Sequence, residues 1–130
     1  MRLLRLFCLQ IFAVSSMYGL QNYTLERVFS GFGVVWGMTF MDSHTMLITH
    51  REGEIYKLNL HNKTSTKLLN PPNVYAYNQG GLLDIQVSPW YKKEGWIYFT
   101  YVKKQNDKGV TTLARAKLKE NAFFGWEELL

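Results

Sequence analysis

From Val34 onward the chain carries one pattern twice. Val34–Phe40, Met46–His50 and Ile55–Leu60 are short apolar or alternating runs, and Thr66–Leu69 fits an outer edge strand. The pattern then starts over. Leu83–Val87, Ile97–Tyr101, Thr112–Lys119 and Trp126–Leu130 take the same four places. Turn-forming residues separate the runs at Asp42-Ser43-His44, Arg51-Glu52-Gly53-Glu54 and His61-Asn62-Lys63. In the third run Tyr56, Leu58 and Leu60 share one face, with Lys57 and Asn59 on the other. Its counterpart sets Ala114, Ala116 and Leu118 against Arg115, Lys117 and Lys119. A period of two is that of a half-exposed strand. Four short strands recurring every ~50 residues, with insertions confined to turns, is how propeller blades read. No stretch sustains a helical period. The sequence therefore predicts an all-β chain of about two four-stranded antiparallel blades. A plain β-sandwich is the competing reading, because strand counting does not separate the two.

The second unit opens on Asn78-Gln79-Gly80-Gly81 and its first strand, Leu82–Val87, closes on Ser88-Pro89. Two glycines allow a sharp turn or a close backbone approach, since no Cβ stands in the way. Pro89 removes an amide donor and ends the strand. Gln79 brings an amide that both donates and accepts, just before the strand. A ring-shaped fold puts ligand contacts at such a strand mouth, and a tight turn into a buried strand accounts for the same residues. Asp84 fits a brace at the strand end, with no second carboxylate at a spacing suited to acid/base work.

The first twenty residues read as a secretory signal. Arg2 and Arg5 supply the charged start, Leu6–Val14 a short apolar core, and Val14 and Ser16 the small residues before cleavage. The run is too short to span a membrane. The mature domain is then 21–130. Cys8 is the only cysteine and lies in this leader, which removes disulfides and thiolate metal sites from the mature chain. Of the formal net charge of +5, Arg2 and Arg5 account for two, leaving about +3. That is too weak and dispersed for nucleic acid. Asn22-Tyr23-Thr24 and Asn62-Lys63-Thr64 match the glycosylation acceptor pattern.

The motifs in order are Trp36-Gly37-Met38-Thr39-Phe40, Leu47-Ile48-Thr49-His50-Arg51-Glu52-Gly53, Gln79-Gly80-Gly81-Leu82-Leu83-Asp84 with Ser88-Pro89, and Trp96-Ile97-Tyr98 ahead of Tyr101. Together they resemble the N-terminal part of the glucose/sorbosone dehydrogenase family, on its aldose sugar dehydrogenase side. The resemblance implies a secreted or periplasmic six-bladed β-propeller that uses pyrroloquinoline quinone (PQQ) with calcium. It implies oxidation of a sugar hydroxyl, with a histidine base taking the proton and hydride passing to the quinone. Gln79 matches the family's motif glutamine, near substrate and the quinone end of the cofactor, and is the candidate substrate- and cofactor-binding residue. The family's catalytic histidine follows its second blade, beyond Leu130. Its cofactor-binding basic residues and calcium ligands belong to later blades. None of His44, His50 or His61 lies in a matching motif, and His50 stands where relatives carry glutamate. Arg51 fits either a channel-facing cation or a hairpin-turn charge. The resemblance thus implies the first two blades of an enzyme, inactive alone.

The alternative is a noncatalytic propeller piece that binds a carbohydrate or a protein through Trp90, Tyr91 and Trp96, residues that equally fit an inter-blade core. In either case Val34, Met38, Phe40, Ile85 and Val87 are expected near the outer faces of a two-blade chain. Bare faces of that kind predict self-association.

Overall fold

The computed structural model describes residues 23–130. The expected leader, including Cys8 and the cleavage point near Ser16, lies outside the described residues. The rest is all-β apart from one helical turn. A first antiparallel sheet contains β1 (Val35–Phe40), β2 (Thr45–His50), β3 (Ile55–Asn59) and β4 (Thr64–Lys67), in that order. A second contains β5 (Leu82–Val87), β6 (Trp96–Gln105), β7 (Lys108–Lys119) and β8 (Ala122–Glu128). The turn α1 (Tyr91–Glu94) follows Ser88-Pro89 and ends at Gly95, whose φ of 72° is left-handed.

Three of the four expected strands in each unit fall where the alternation placed them. The outer strands do not. β4 starts at Thr64, two residues earlier than expected, and ends at Lys67; Leu69 instead makes a parallel bridge to Ala122. β8 starts at Ala122, not Trp126, because Glu120 takes a φ of 56° and the chain reverses at once, pairing Lys119 with Ala122. Nor is β3 half-exposed. Ile55 and Leu58 point to opposite faces and both are buried.

The sheets pack face to face, chiefly β1 and β2 against β5. One apolar cluster crosses the join: Leu47, Ile55 and Leu68 from the first unit meet Ile85, Val87, Ile97, Phe99, Ala114, Ala116 and Phe123 from the second. Phe99 stands edge-on to Phe123 at 5.3 Å and tilted to Trp126 at 4.8 Å. Ile85 and Val87 are therefore in the core, contrary to their expected place near a bare face, because the first sheet covers them. Val34, Met38 and Phe40 are exposed, as expected.

The repeat holds to the level of single atoms. Both inner strands carry a bulge with one extra residue, between Val35 and Met38 and between Leu82 and Ile85. Met38 pairs with Ile48, and Ile85 with Phe99, so these positions are equivalent. Inside each bulge a threonine hydroxyl accepts a backbone N–H. Thr49 Oγ1 takes it from Gly37 at 2.9 Å, and Thr100 Oγ1 from Asp84 at 3.1 Å.

Candidate functional site

β1 and β5 both start at one end of the sheet pair, the end where the β2–β3 turn and the Asn78–Gly81 turn lie. Arg51 ties these two turns together. Its Nη2 donates to the Asn78 carbonyl at 2.7 Å, and its own carbonyl accepts from Leu82 N–H at 2.9 Å. Its Nη1 pairs with Glu52 at 2.7 Å. Gly81 makes this closeness achievable: a Cβ there would sit 2.2 Å from the Arg51 carbonyl oxygen, and its φ of 141° suits glycine alone. Arg51 is thus a turn-bracing cation, not a free one facing a channel.

Gln79 crowns the turn that Arg51 braces. It is exposed, and its amide makes no hydrogen bond among the described residues. Asn78 beside it takes a φ of 51°, which sharpens the turn and turns the chain into β5. Asp84 braces the bulge as expected, its Oδ1 accepting from Ile85 N–H at 2.9 Å.

The histidines do not gather. His50 lies below the same rim, with Nδ1 buried, lacking a hydrogen bond, and 3.8 Å from Glu54 Oε2. Its ring packs so tightly under Gly33 that a Cβ there would lie 2.1 Å from Nε2. Glu54 itself is claimed by Lys67 and by Tyr56 O–H at 2.9 Å. The Lys67 bond, then the Tyr56 bond, hold its carboxyl below the ordinary glutamate range. His44 and His61 sit at the opposite end of the first sheet, rings edge-on at 6.3 Å. Trp90, Tyr91 and Trp96 share that far end. Trp90 is 68% exposed, while Tyr91 is partly buried, which raises its phenol pKa. Trp96 has the Arg115 guanidinium 4.1 Å from its ring centre and the Lys117 ammonium at 4.6 Å. Both cations are cation–π partners of the Trp96 ring.

A groove of about 720 Å³ runs beside the rim, between the 71–75 loop and the outer half of the second sheet. Tyr75, Tyr101, Lys103, Trp126 and Glu128 line it. Its charges are already matched: Glu128 pairs with Lys103 and accepts from Tyr101 O–H at 3.3 Å. Burial first, and then Glu128, raise the Tyr101 pKa.

These residues do not by themselves fit the group the resemblance implies. PQQ is a quinone with three carboxylates and needs several free donors and cations. Among the described residues the rim offers the free side-chain amides of Asn78 and Gln79 and a guanidinium already paired. No group of three or more His, Cys, Asp or Glu that could hold a metal occurs among the described residues.

The residue that the sequence reading passed over is Thr49. It is fully buried, and besides accepting from Gly37 its hydroxyl donates to the Leu83 carbonyl at 2.6 Å. Thr39 Oγ1 likewise accepts from Val87 N–H at 3.3 Å. Two hydroxyls therefore staple β5 to the first sheet and set the position of the rim. A signal was available: Ile48-Thr49-His50 and Phe99-Thr100-Tyr101 carry threonine at the same place in both units.

Residues 32–130 match the glucose/sorbosone dehydrogenase family. Aldose sugar dehydrogenase YliI of Escherichia coli strain K12 is 33% identical over 88 residues, 66% of this chain and 24% of the relative. A solved glucose dehydrogenase superposes with a TM-score of 0.78 at 21% identity, over 83% of this chain and 35% of its own. The PQQ-bound form of the aldose sugar dehydrogenase from Streptomyces coelicolor superposes with a TM-score of 0.73 at 21% identity, over 82% of this chain and 33% of its own. At such identities the structural likeness speaks for the fold. The chain spans about a quarter of the curated relative's length and a third of these structures. With nearly all of the described residues covered by the family match, the chain belongs to the glucose/sorbosone dehydrogenase family.

Proposed function

We propose that this chain is the N-terminal part of a PQQ-dependent aldose sugar dehydrogenase, an exported six-bladed propeller that oxidises a sugar hydroxyl with the quinone as hydride acceptor. The family match over residues 32–130 carries the reading. In it the chain supplies two blades and one side of the rim. Gln79 is the contact to sugar and cofactor, free to donate and accept on a turn that Arg51 and Gly81 hold still. The base, the cofactor cations and the calcium ligands come from further blades, so the 130 residues alone do not turn over sugar.

The test is a chimera. Residues 32–130 replace the matching segment of E. coli aldose sugar dehydrogenase, and dye-linked aldose oxidation is measured with PQQ and calcium. The chimera is expected to be active, and Gln79→Ala in it to lower turnover by ~10-fold or more, as for a lost positioning hydrogen bond. The isolated chain should match a boiled control. A folded, PQQ-loaded chimera without activity contradicts the family role; unchanged kinetics in Gln79→Ala removes that residue from the site.

A further inference from the structure

The groove beside the rim has walls that the chain fixes at both ends. Its floor includes Tyr101 and Ala114, on the covered side of the second sheet and away from both open faces. Its far wall is the loop after β4. At one end of that loop Leu69 N–H donates to the Asn121 carbonyl at 2.8 Å and Trp126 Nε1 to the Asn70 carbonyl at 3.0 Å. At the other end Tyr75 N–H donates to the Val102 carbonyl at 2.7 Å. Pro71 and Pro72 between them have a fixed φ and no N–H to satisfy. The charged residues lining the groove sum to zero and each has its partner: Lys103 with Glu128, Lys104 with Asp107 at 2.9 Å, Glu127 with Arg115 at 2.7 Å. An ionic ligand finds no uncompensated charge there. What the groove offers is the rings of Tyr75, Tyr101 and Trp126, edged by polar groups that can still bond hydroxyls.

Two tyrosines join the groove to the rim. Tyr75 lines the groove and stacks on Tyr77, ring centres 5.7 Å apart and planes 22° apart. Tyr77 is 61% exposed. Gly80 N–H donates to the Tyr77 carbonyl at 2.8 Å, which closes a turn with Asn78 and Gln79 at its corners. The ends of such a turn stay within ~7 Å of each other. Tyr77 therefore flanks Gln79 on the side of the groove.

We infer that the groove holds the further pyranose units of a neutral oligosaccharide whose reducing end lies at Gln79, with Tyr77 as the specificity-determining contact for the unit next to it. For the reacting end this rests on the dehydrogenase reading above. A pyranose presents C–H faces to aromatic rings and hydroxyls to the polar edge of a cleft, which is the division of surface found here. Tyr75 backs the Tyr77 ring, so its outer face needs little ordering to receive a sugar. The groove's volume of about 720 Å³ falls within the ~300–1,000 Å³ of ligand clefts. These aromatics are a different set from Trp90, Tyr91 and Trp96 at the far end.

The chimera carrying residues 32–130 tests this, with maltotriose and glucose as probes. Steady-state oxidation is measured with PQQ and calcium, and calorimetric titration without the quinone. Tyr77→Ala removes the platform, and Asn73→Trp fills the groove from an exposed position in the loop. Far-UV circular dichroism checks folding, and if Asn73→Trp is unfolded Tyr77→Ala decides alone. Maltotriose should show a KM at least ~10-fold below that of glucose, and each variant should erode that preference by ~10-fold or more, through KM rather than kcat. Tyr77→Phe should keep the preference, because the ring and not the hydroxyl receives the sugar. Equal KM for the two sugars, or a preference unchanged in a folded variant, would overturn the proposal. Calorimetry separates the two readings. A chimera that binds maltotriose more tightly than glucose, is weakened in both variants and does not turn over keeps the groove and refutes the dehydrogenase role. One that oxidises glucose and binds both sugars alike refutes the groove alone.

Discussion

Met38 and Ile85 hold the same place in two sheets built alike, yet one is 62% exposed and the other 1%. Phe40 and Val87 repeat the contrast at 57% and 7%. Nothing in the strands themselves accounts for it. Both are six-residue inner strands with a bulge at the same point and a threonine hydroxyl closing it. The difference is a neighbour: the second sheet has one on that side and, among the described residues, the first does not. Burial here is a property of position in a row of sheets, as in repeat folds generally, where stability comes largely from the joins.

Mutation can break this comparison where it is steepest. Ile85→Ala should cost about 2–4 kcal/mol, the usual range for an emptied buried site, whereas Met38→Ala should fall within ~0.5 kcal/mol in dilute solution. Urea unfolding of both variants at low concentration measures this, and equal losses would mean that the first sheet's open side is not open in solution.

The threonine pair sharpens the point with a smaller effect. Thr49→Val leaves Gly37 N–H and the Leu83 carbonyl without their buried partner, an expected loss of about 1–3 kcal/mol. Thr100→Val frees only Asp84 N–H on a half-open face, where water can substitute, and should cost under ~1 kcal/mol. The same urea series reads both. A Thr49 variant as stable as the Thr100 variant would show that the cross-sheet staple contributes nothing.

The sheets' edges should respond alike, and least. Lys67 holds Glu54, and Lys103 holds Glu128, below the ordinary glutamate value of 4.5, chiefly through their hydrogen bonds. A depressed folded pKa stabilises the fold above the unfolded value and loses that contribution as pH falls through the folded one. Both edges should therefore weaken only below about pH 4.5. The pairs are solvent-exposed, so each effect is small and screened by salt. Thermal melts from pH 7 to pH 3 should show a shallower acid decline in Glu54→Gln and in Glu128→Gln than in the unmodified chain.

Much of the fold was legible because inner strands announce themselves. Alternation and turn residues place β1 to β3 and β5 to β7 within a few residues. The outer strands slipped because Thr64-Ser65-Thr66-Lys67 has no apolar period, and because Phe123, Phe124 and Trp126 give no clean alternation in β8. Ile85 and Val87 were misplaced for a different reason. Hydropathy says that Met38, Phe40, Ile85 and Val87 all seek cover, but not which pair finds it. At the rim, the Gly-Gly pair and Gln79 stood out in the sequence, while the Arg51 brace joins residues 27 apart through a carbonyl that no side-chain pattern records. Thr49 was readable only as a repeated letter, since a hydroxyl joining two backbones leaves no mark on composition.

Amide hydrogen exchange at Gly37 and Asp84 tests the central claim, that the two sheets differ by cover alone. Each N–H donates to a threonine hydroxyl in the same bulge, one under a neighbouring sheet and one beneath an open face. In dilute monomer Gly37 should exchange only with global unfolding and Asp84 well ahead of it. Equal rates for the two amides in the dilute monomer would contradict the account.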